Sequence, residues 1–414
     1  MGLFQPDGGH RRRDGEAAVI RSVADLDVAS RRLVVRADLN VPMAEGRVSD
    51  ATRITRFAEG MRPLLGRGAA LVVLSHFGRP KGKPDPALSL RPLRDELSRA
   101  LGCPVRFATL DAAGAAAAGL AQGQVLLVEN LRFEPGEEDN DDAFAARLAA
   151  LGDTYVNDAF SCAHRAHAST EAIVRLLPAY AGPLMLEELT ALQAALENPA
   201  RPSVAIVGGA KISTKITVLR NLVQKVDHLI VGGGMANTFL FAKGAPMGKS
   251  LFEADQVDTV AEILALAEKA GCTIHLPADV VVAREFKAAT ASEIVAADAC
   301  PKDAMILDAG PAAVAAFTRV LEGARTVLWN GPLGAFEIAP FDAATVALAR
   351  VAAEQTRGGT AVSVAGGGDT VAALNAARVV HQFTYVSGAG GAFLEWLEGR
   401  TLPGVAVLMQ NERV

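Results

Sequence analysis

The chain has 414 residues, of which 50% are hydrophobic and 21% charged, with a formal net charge of −5 at pH 7. That length exceeds what one hydrophobic core ordinarily supports and predicts two domains of roughly 200 residues each. The slight negative balance excludes a general attraction to nucleic acid or to an anionic membrane, so any bound anion has to be held by a local cluster. The opening stretch MGLFQPDGGHRRRDGE lacks the roughly 7–15-residue apolar segment of a secretion signal, and residues 1–17 read as a mobile tail. No run of about 18 uncharged apolar residues occurs, which predicts a protein without a membrane span. Cys103, Cys162, Cys272 and Cys300 lie far apart in the chain, a usage that suits a reducing compartment and makes the cytoplasm the expected location.

Short apolar runs alternate with helix-like segments, the pattern of repeated strand-helix-strand units around a parallel sheet. Strands are expected at 32–37, 70–75, 125–129 and 154–157, then at 203–207, 228–231, 273–275, 326–329, 361–365 and 384–386. Between the two sets, Leu184, Leu186, Leu189, Leu192 and Leu196 stand near helical spacing, and the segment stops at Asn-Pro and Arg-Pro. A joining helix over 184–202 is therefore expected, between an N-terminal domain over 1–183 and a C-terminal domain over 203–402. The predicted class is α/β, with two doubly wound parallel-sheet domains and a cleft between them.

In open α/β sheets ligands bind beyond the carboxyl ends of the strands, so the residues after each apolar run carry the functional signal. In the first half these read as cations. Arg36 ends one run and leads to Asp38 and Asn40; His76 and Arg79 follow the next; Arg132 follows LLVENL; His164, Arg165 and His167 follow YVNDAFSCA. Arg53 lies in the helix-like SDATRITRF. In the second half the runs end in glycine: Gly208 and Gly209, Gly232 to Gly234, Gly331 and Gly334, Gly366 to Gly368, and Gly388, Gly390 and Gly391. A glycine turn that opens a helix presents free N–H groups and a favourable dipole to a phosphate. One half thus holds a compact anion with side chains, and the other wraps a nucleotide with backbone.

SVAGGGDTVAAL fits an anion loop, although a glycine turn with an Asp-Thr cap would look the same. An acid beside a phosphate-binding turn makes sense with Mg²⁺ between them, which makes Asp369 the metal candidate. GGAKISTK places Lys211 and Lys215 four apart, on one face of an expected helix, where like charges repel unless an anion is shared. SCAHRAH lacks the second ligand pair of a structural zinc site and reads better as an anion clamp around Arg165. GAPMGKS (244–250) has three residues between Gly244 and Gly248, where a P-loop requires four.

These motifs resemble the phosphoglycerate kinase family over nearly the whole chain, from about Val19 onward. The resemblance is carried by RADLNVP (36–42), SHFGRPKG (75–82), ENLRF (129–133), NDAFSCAHRAH (157–167), GGAKISTK (208–215), GGGMANTF (232–239), LWNGPLGAFE (328–337) and GGGDT (366–370). It implies that Asp38, Leu39, Asn40, Arg53, His76, Phe77, Gly78, Arg79, Arg132 and Arg165 bind 3-phosphoglycerate or 1,3-bisphosphoglycerate. It implies further that Gly209, Lys211, Lys215, Gly233, Asn330, Glu337 and Gly366, Gly367, Gly368, Asp369 and Thr370 bind ADP or ATP, with Glu337 at the ribose and Asp369 at Mg²⁺. Residues 403–414 are expected to return to the first domain. Gly388-Ala389 replaces the family's Thr-Gly, and Ala309 stands where a larger apolar residue is usual.

The implied reaction is reversible phosphoryl transfer from 1,3-bisphosphoglycerate to ADP, by a monomer. The attacking oxygen already belongs to an anion, so no general base is needed, and the task is to offset charge on the moving group. Arg53, Lys211, Lys215, Gly367 and Gly368 are the expected catalytic positions, and domain closure is expected to align the reactants and exclude water. Two other classes remain open. A dinucleotide-dependent dehydrogenase requires GxGxxG spacing that GGGMANTF lacks, and a non-catalytic phosphometabolite-binding protein would keep both sites without transfer.

Overall fold

The computed structural model describes residues 20–410, so the tail expected over 1–17 lies outside the described residues. Of these, 20–189 and 401–410 form one compact unit and 190–400 the other.

Unit 1 is built on β1 (Arg32–Arg36), β2 (Ala70–Leu74), β3 (Val105–Ala108), β4 (Val125–Val128), β5 (Thr154–Asn157) and β6 (Ala179–Ala181). They form one wholly parallel sheet in the order β3-β4-β2-β1-β5-β6. β2 and β4 are buried at every position, which is why their sequences are continuous apolar runs without alternation. Leu33, Val35, Leu71, Val73, Val125 and Leu127 share a core with Ile54, Phe57, Ala58, Met61 and Leu64. The latter five are the stripe of helix α1 (Thr52–Gly66), at the three-and-four spacing of an amphipathic helix. Docking that stripe fixes where the first turn of α1, with Arg53, lies. From β1 the chain runs outward through β2, β3 and β4, then returns past β1 to β5, so its direction reverses between β1 and β5.

Helix α2 (Pro183–Leu192) follows, continued by a π-turn over Gln193–Glu197. The helix expected over 184–202 therefore stops early. Asn198 leaves helical backbone with φ −133°, because the ring of the following Pro199 disfavours the helical region for its predecessor.

Unit 2 contains β7 (Ser203–Val207), β8 (His228–Val231), β9 (Thr273–His275), β10 (Asp279–Ala283), β11 (Ser292–Ala296), β12 (Met305–Ala309), β13 (Thr326–Asn330), β14 (Val362–Gly366) and β15 (Tyr385–Ser387). Six of these form a parallel sheet in the order β9-β8-β7-β13-β14-β15, with the reversal between β7 and β13. β10, β11 and β12 form a separate antiparallel sheet. These three strands, with β3 and β6, are absent from the sequence-based expectation. β11 is exposed along most of its length and β3 is buried only at its ends, so neither leaves an apolar run to read. No helix among the described residues is long and apolar enough to cross a membrane.

Candidate functional site

Reversal points leave a crevice at the carboxyl ends of the strands, and each unit gathers polar groups there. In unit 1, Asp38 lies just beyond β1. Its Oδ2 accepts from Arg53 Nη1 at 2.6 Å and from Ser161 Oγ, beyond β5, at 2.5 Å. Its Oδ1 accepts from the Asn40 N–H at 3.1 Å. The Asn40 carbonyl takes a second bond from Arg53 Nη1 at 3.2 Å, and its side-chain oxygen accepts from the Gly78 N–H at 3.2 Å. The Gly78 carbonyl in turn accepts from Arg132 Nη1 at 2.8 Å. Segments following β1, β2, β4 and β5 and the first turn of α1 are thereby joined in one network.

Gly78 has φ +59°, and a Cβ there would come within 2.7 Å of Leu88, so no other residue fits this turn without movement. Asn130 anchors the same turn by donating to the carbonyls of Phe77 at 2.7 Å and Leu88 at 2.9 Å. Phe77 packs its half-buried ring on the core. Leu39 turns a wholly buried side chain inward and gives its N–H to Ser75 Oγ at 3.0 Å. Arg79 and Arg165 are exposed; Arg165 lies near enough to act on the charges of Arg132 and His167.

The histidines differ from the expectation of a row of cations. Burial, with the Arg36 and Arg132 guanidinium groups behind it, pushes the His76 imidazolium far below its ordinary range. The same causes bring His167 down to about 3. Both are neutral at physiological pH, because burial disfavours the charged form and arginine outcompetes histidine for the positive charge. The 3.8 Å approach of His167 Nδ1 to Glu137 Oε1 is therefore not an ion pair. His164 is partly buried.

In unit 2, Lys215 lies at the reversal. Its Nζ donates to the carbonyls of Gly208 at 2.7 Å and Asn330 at 3.1 Å, the ends of β7 and β13. Asn330 Nδ2 donates to the Gly366 carbonyl at 2.8 Å, and Thr370 Oγ1 accepts from the Gly331 N–H at 2.7 Å, which ties in β14. Burial lowers Lys215 to about 8, opposed by the nearby Asp369 carboxylate.

Lys211 and Lys215 do not share a helix face as the sequence spacing suggests. Ile212–Thr214 form a separate 3-10 turn, Lys215 closes it in non-helical backbone, and helix α3 (Ile216–Leu222) begins only afterwards. The turn is held off the helix because Ser213 gives its N–H and Oγ to Glu253, at 2.9 and 2.6 Å. Lys211 and Glu337 are both exposed, and neither side chain joins the hydrogen-bonded cluster around Lys215.

The glycines of unit 2 fall into two groups. A Cβ on Gly208 would overlap the Pro332 carbonyl, one on Gly331 the Gly208 carbonyl, and one on Gly366 would meet the Phe393 ring at 2.7 Å. Gly233, with φ +66°, opens helix α4 (Gly233–Ala242) and has Gly209 O at 2.7 Å from such a Cβ. These glycines let strand-end loops pack on one another. Gly209 is different, with 3.7 Å to its nearest neighbour, and Gly368 and Gly388 have no atom within 4 Å. Helix α5 (Gly368–Ala376) starts after Gly367 at φ +97° with no side-chain cap, and Asp369 is exposed in its first turn. Its leading N–H groups are the kind that bind anions.

The GAPMGKS segment is pinned elsewhere: the Lys249 N–H donates to the Ala304 carbonyl, and Ser250 Oγ accepts from the N–H of Ile306 in β12, both at 2.8 Å. Ser75, Asn130, Glu137, Ser161 and Ser169 are members of the unit 1 network that sequence reasoning missed. Ser75, Asn130 and Ser161 lie inside quoted motifs without having been given a role, whereas Glu137 and Ser169 lie outside every motif and only the fold buries them.

Two doubly wound sheets, each with a polar cluster at its reversal, define a two-unit α/β protein with anion-holding chemistry at both clusters. The sequence model of the family described as phosphoglycerate kinase matches residues 23–400. A phosphoglycerate kinase of Ruegeria sp. (strain TM1040) is 59% identical over 392 residues, covering 94% of this chain and 99% of that protein. One of Methylorubrum extorquens (strain PA1) is 60% identical over 381 residues, covering 91% and 95%. The solved phosphoglycerate kinase from Coxiella burnetii superposes with a TM-score of 0.90 at 41% identity, covering 95% of this chain and 100% of that one. The chain belongs to the phosphoglycerate kinase family. It is a kinase, a phosphotransferase of glycolysis acting on small molecules.

Proposed function

We propose that the chain transfers a phosphoryl group reversibly between 1,3-bisphosphoglycerate and ADP, giving 3-phosphoglycerate and ATP, as a cytoplasmic monomer. The phosphoglycerate binds in unit 1 at Asp38, Asn40, Arg53, His76, Gly78, Arg79, Arg132 and Arg165, with Leu39 and Phe77 shaping the loops. The nucleotide binds in unit 2 at Gly209, Lys211, Lys215, Gly233, Asn330, Glu337 and Gly366 to Thr370. The observation that carries this reading is that each sheet's reversal point holds its own cluster, and the two clusters differ in chemistry. Fixed guanidinium groups suit a compact, highly charged acid; uncapped helix N–H groups beside a lysine suit a polyphosphate.

Mg²⁺ fits with Asp369. That carboxylate is exposed in the first turn of α5, and Mg²⁺ is usually bound by one or two carboxylates together with substrate phosphate oxygens. Among the described residues no group of three ligating side chains is present, which suits an ion carried by the nucleotide rather than by a protein cage. Bound there, it offsets charge on the β- and γ-phosphates. Arg53, Lys211, Lys215 and the N–H groups at Gly367 and Gly368 stabilise the charge spread over the migrating group's oxygens. Transfer requires reactants in line and shielded from water, and domain closure supplies this.

A coupled assay for ATP formation from ADP and 1,3-bisphosphoglycerate tests the reading; binding of both ligands without transfer would instead favour a phosphometabolite-binding protein. Asp369→Ala is expected to weaken binding of the magnesium nucleotide. An unchanged Mg²⁺ dependence would remove Asp369 from the metal role.

A further inference from the structure

Beneath the unit 1 cluster a buried chain of polar groups leads to His76 from Glu137, Ser169 and Tyr155, to which neither the motifs nor the comparisons give a role. Glu137, in the short helix Pro135–Glu138, is wholly buried. Its Oε1 accepts from Ser169 Oγ at 2.6 Å and its Oε2 from the Ser169 N–H at 3.0 Å. The Ser169 carbonyl accepts from the Tyr155 hydroxyl at 2.6 Å, so every polar group of this serine is fixed. Having given its proton to Glu137, Ser169 Oγ accepts from Arg36 Nε at 2.8 Å. Arg36, also wholly buried, places Nη2 at 3.1 Å from His76 Nδ1.

Direction along this chain is forced by the inventory of donors. A guanidinium only donates, so Ser169 Oγ accepts from Arg36. Burial pushes the Glu137 carboxyl up, opposed by Arg36 and by the two bonds from Ser169, and in the ionised form that these favour the carboxylate accepts the hydroxyl proton. His76 Nδ1 must then be the bare, accepting nitrogen, and the ring proton sits on Nε2. We propose that Glu137 is a positioning residue that acts through Ser169 and Arg36 to hold His76 as the Nε2–H tautomer, so that it offers a neutral donor to the phosphoglycerate. The second clause rests on the assignment of His76 to the phosphoglycerate site; the first does not. The charged and titratable groups facing His76 are Arg36, Arg132, Arg53 and His167, with Cys162 Sγ at 3.9 Å from Nδ1. Burial and each of these four groups disfavour a proton on the ring, and they outweigh the carboxylates of Glu137 and Asp38, which act on Arg36 behind it.

The test is long-range proton–nitrogen NMR on the ¹⁵N-histidine-labelled full chain without ligands. His76 is expected to report a protonated Nε2 and a bare Nδ1, unchanged from pH 6 to 8; a protonated Nδ1, or titration in that range, overturns the relay. Two variants extend it. Glu137→Gln keeps the shape but has one acceptor where Ser169 presents two donors, and Ser169→Ala removes the hydroxyl. In both, His76 is expected to become a tautomer mixture, with KM for 3-phosphoglycerate raised about tenfold and KM for ATP unchanged, as befits a lost bond to a charged ligand. A folded variant with the His76 signal of the parent overturns the relay. A shifted tautomer with an unchanged KM overturns the assignment of His76 to the substrate site and leaves the relay standing. Should either variant fail to fold, the parent spectrum decides.

Discussion

The two units solve one topological problem with opposite materials. Both place a reversal inside a six-stranded parallel sheet, and both fill the crevice with groups that hold negative charge. At the β1/β5 reversal those groups are side chains, Arg53 and Arg132 bonded into a frame of Asp38, Asn40 and Gly78. At the β7/β13 reversal they are main-chain amides, with the Lys215 ammonium bound to two carbonyls. Side chains carry full charge and can be removed one at a time. Backbone N–H groups cannot be removed, and the design is vulnerable instead wherever a glycine permits two loops to touch. The same fold therefore predicts different failures in its two halves.

The largest expected effect breaks the side-chain half. Arg53→Ala should lower turnover by about three orders of magnitude, the loss expected when a donor aimed at transition-state charge is removed, with KM for ATP little changed. Steady-state kinetics with both substrates varied decides this, and a loss confined to phosphoglycerate binding would reduce Arg53 to a clamp. The fold is expected to survive the change. The Arg53 side chain is 41% exposed in its pair with Asp38, and such exposed pairs contribute about 1 kcal/mol or less. In the backbone half the counterpart is Gly208→Ala, whose methyl would overlap the Pro332 carbonyl. Neither partner is a flexible side-chain end, so a loss of about 3 kcal/mol in urea unfolding is expected. A loss below about 0.5 kcal/mol, the level of an ordinary surface change, would mean the loops separate freely.

How much of this was readable in advance also divides along material lines. The buried parallel strands announced themselves, because a strand covered on both faces must be apolar throughout; β11, mostly exposed, gave no such signal. The family resemblance pointed to Asp38, Arg53, Lys215 and Asn330, which the fold brings to the two reversals. Their surroundings were illegible. Glu137 and Ser169 look like surface residues in the sequence, and only the packing of the 135–138 helix against the segment after β5 buries them. Burial also changed what legible residues are. His76 and His167 read as cations, yet taking them out of water beside Arg36 leaves them neutral. Lys211 and Lys215 read as a helical pair because spacing says nothing of Ser213 being claimed by Glu253.

A smaller effect sharpens the contrast through pH. At the unit 2 reversal Lys215 is held by burial at about 8, despite the opposing pull of Asp369. Below that value Lys215 is charged and attracts the nucleotide; above it the free enzyme loses the charge. kcat/KM for ATP is therefore expected to fall by about tenfold per pH unit above the inflection, since this ratio follows ionisations of the free enzyme. Lys215→Arg should abolish the inflection, because a guanidinium stays charged throughout the range. A flat profile to pH 9.5 in the parent enzyme would mean Lys215 remains charged and acts as a fixed cation, like the arginines of unit 1.

The smallest effect tests whether a glycine serves the fold or the ligand. Gly368 differs from Gly208 in that an added Cβ has no neighbour within 4 Å and the backbone is not in the left-handed region. Gly368→Ala should leave stability unchanged or raise it by up to about 1 kcal/mol, since alanine is the better helix former in the first turn of α5. The same methyl stands among the uncapped N–H groups of that turn. If the nucleotide phosphates lie there, as proposed, KM for ATP should rise about fivefold while KM for 3-phosphoglycerate stays constant, because close approach to a helix N-terminus tolerates no added side chain. A stable variant with unaltered KM would place the phosphates elsewhere, with Gly209 and Gly388, two further uncrowded glycines after strands of this sheet, as the next positions to substitute.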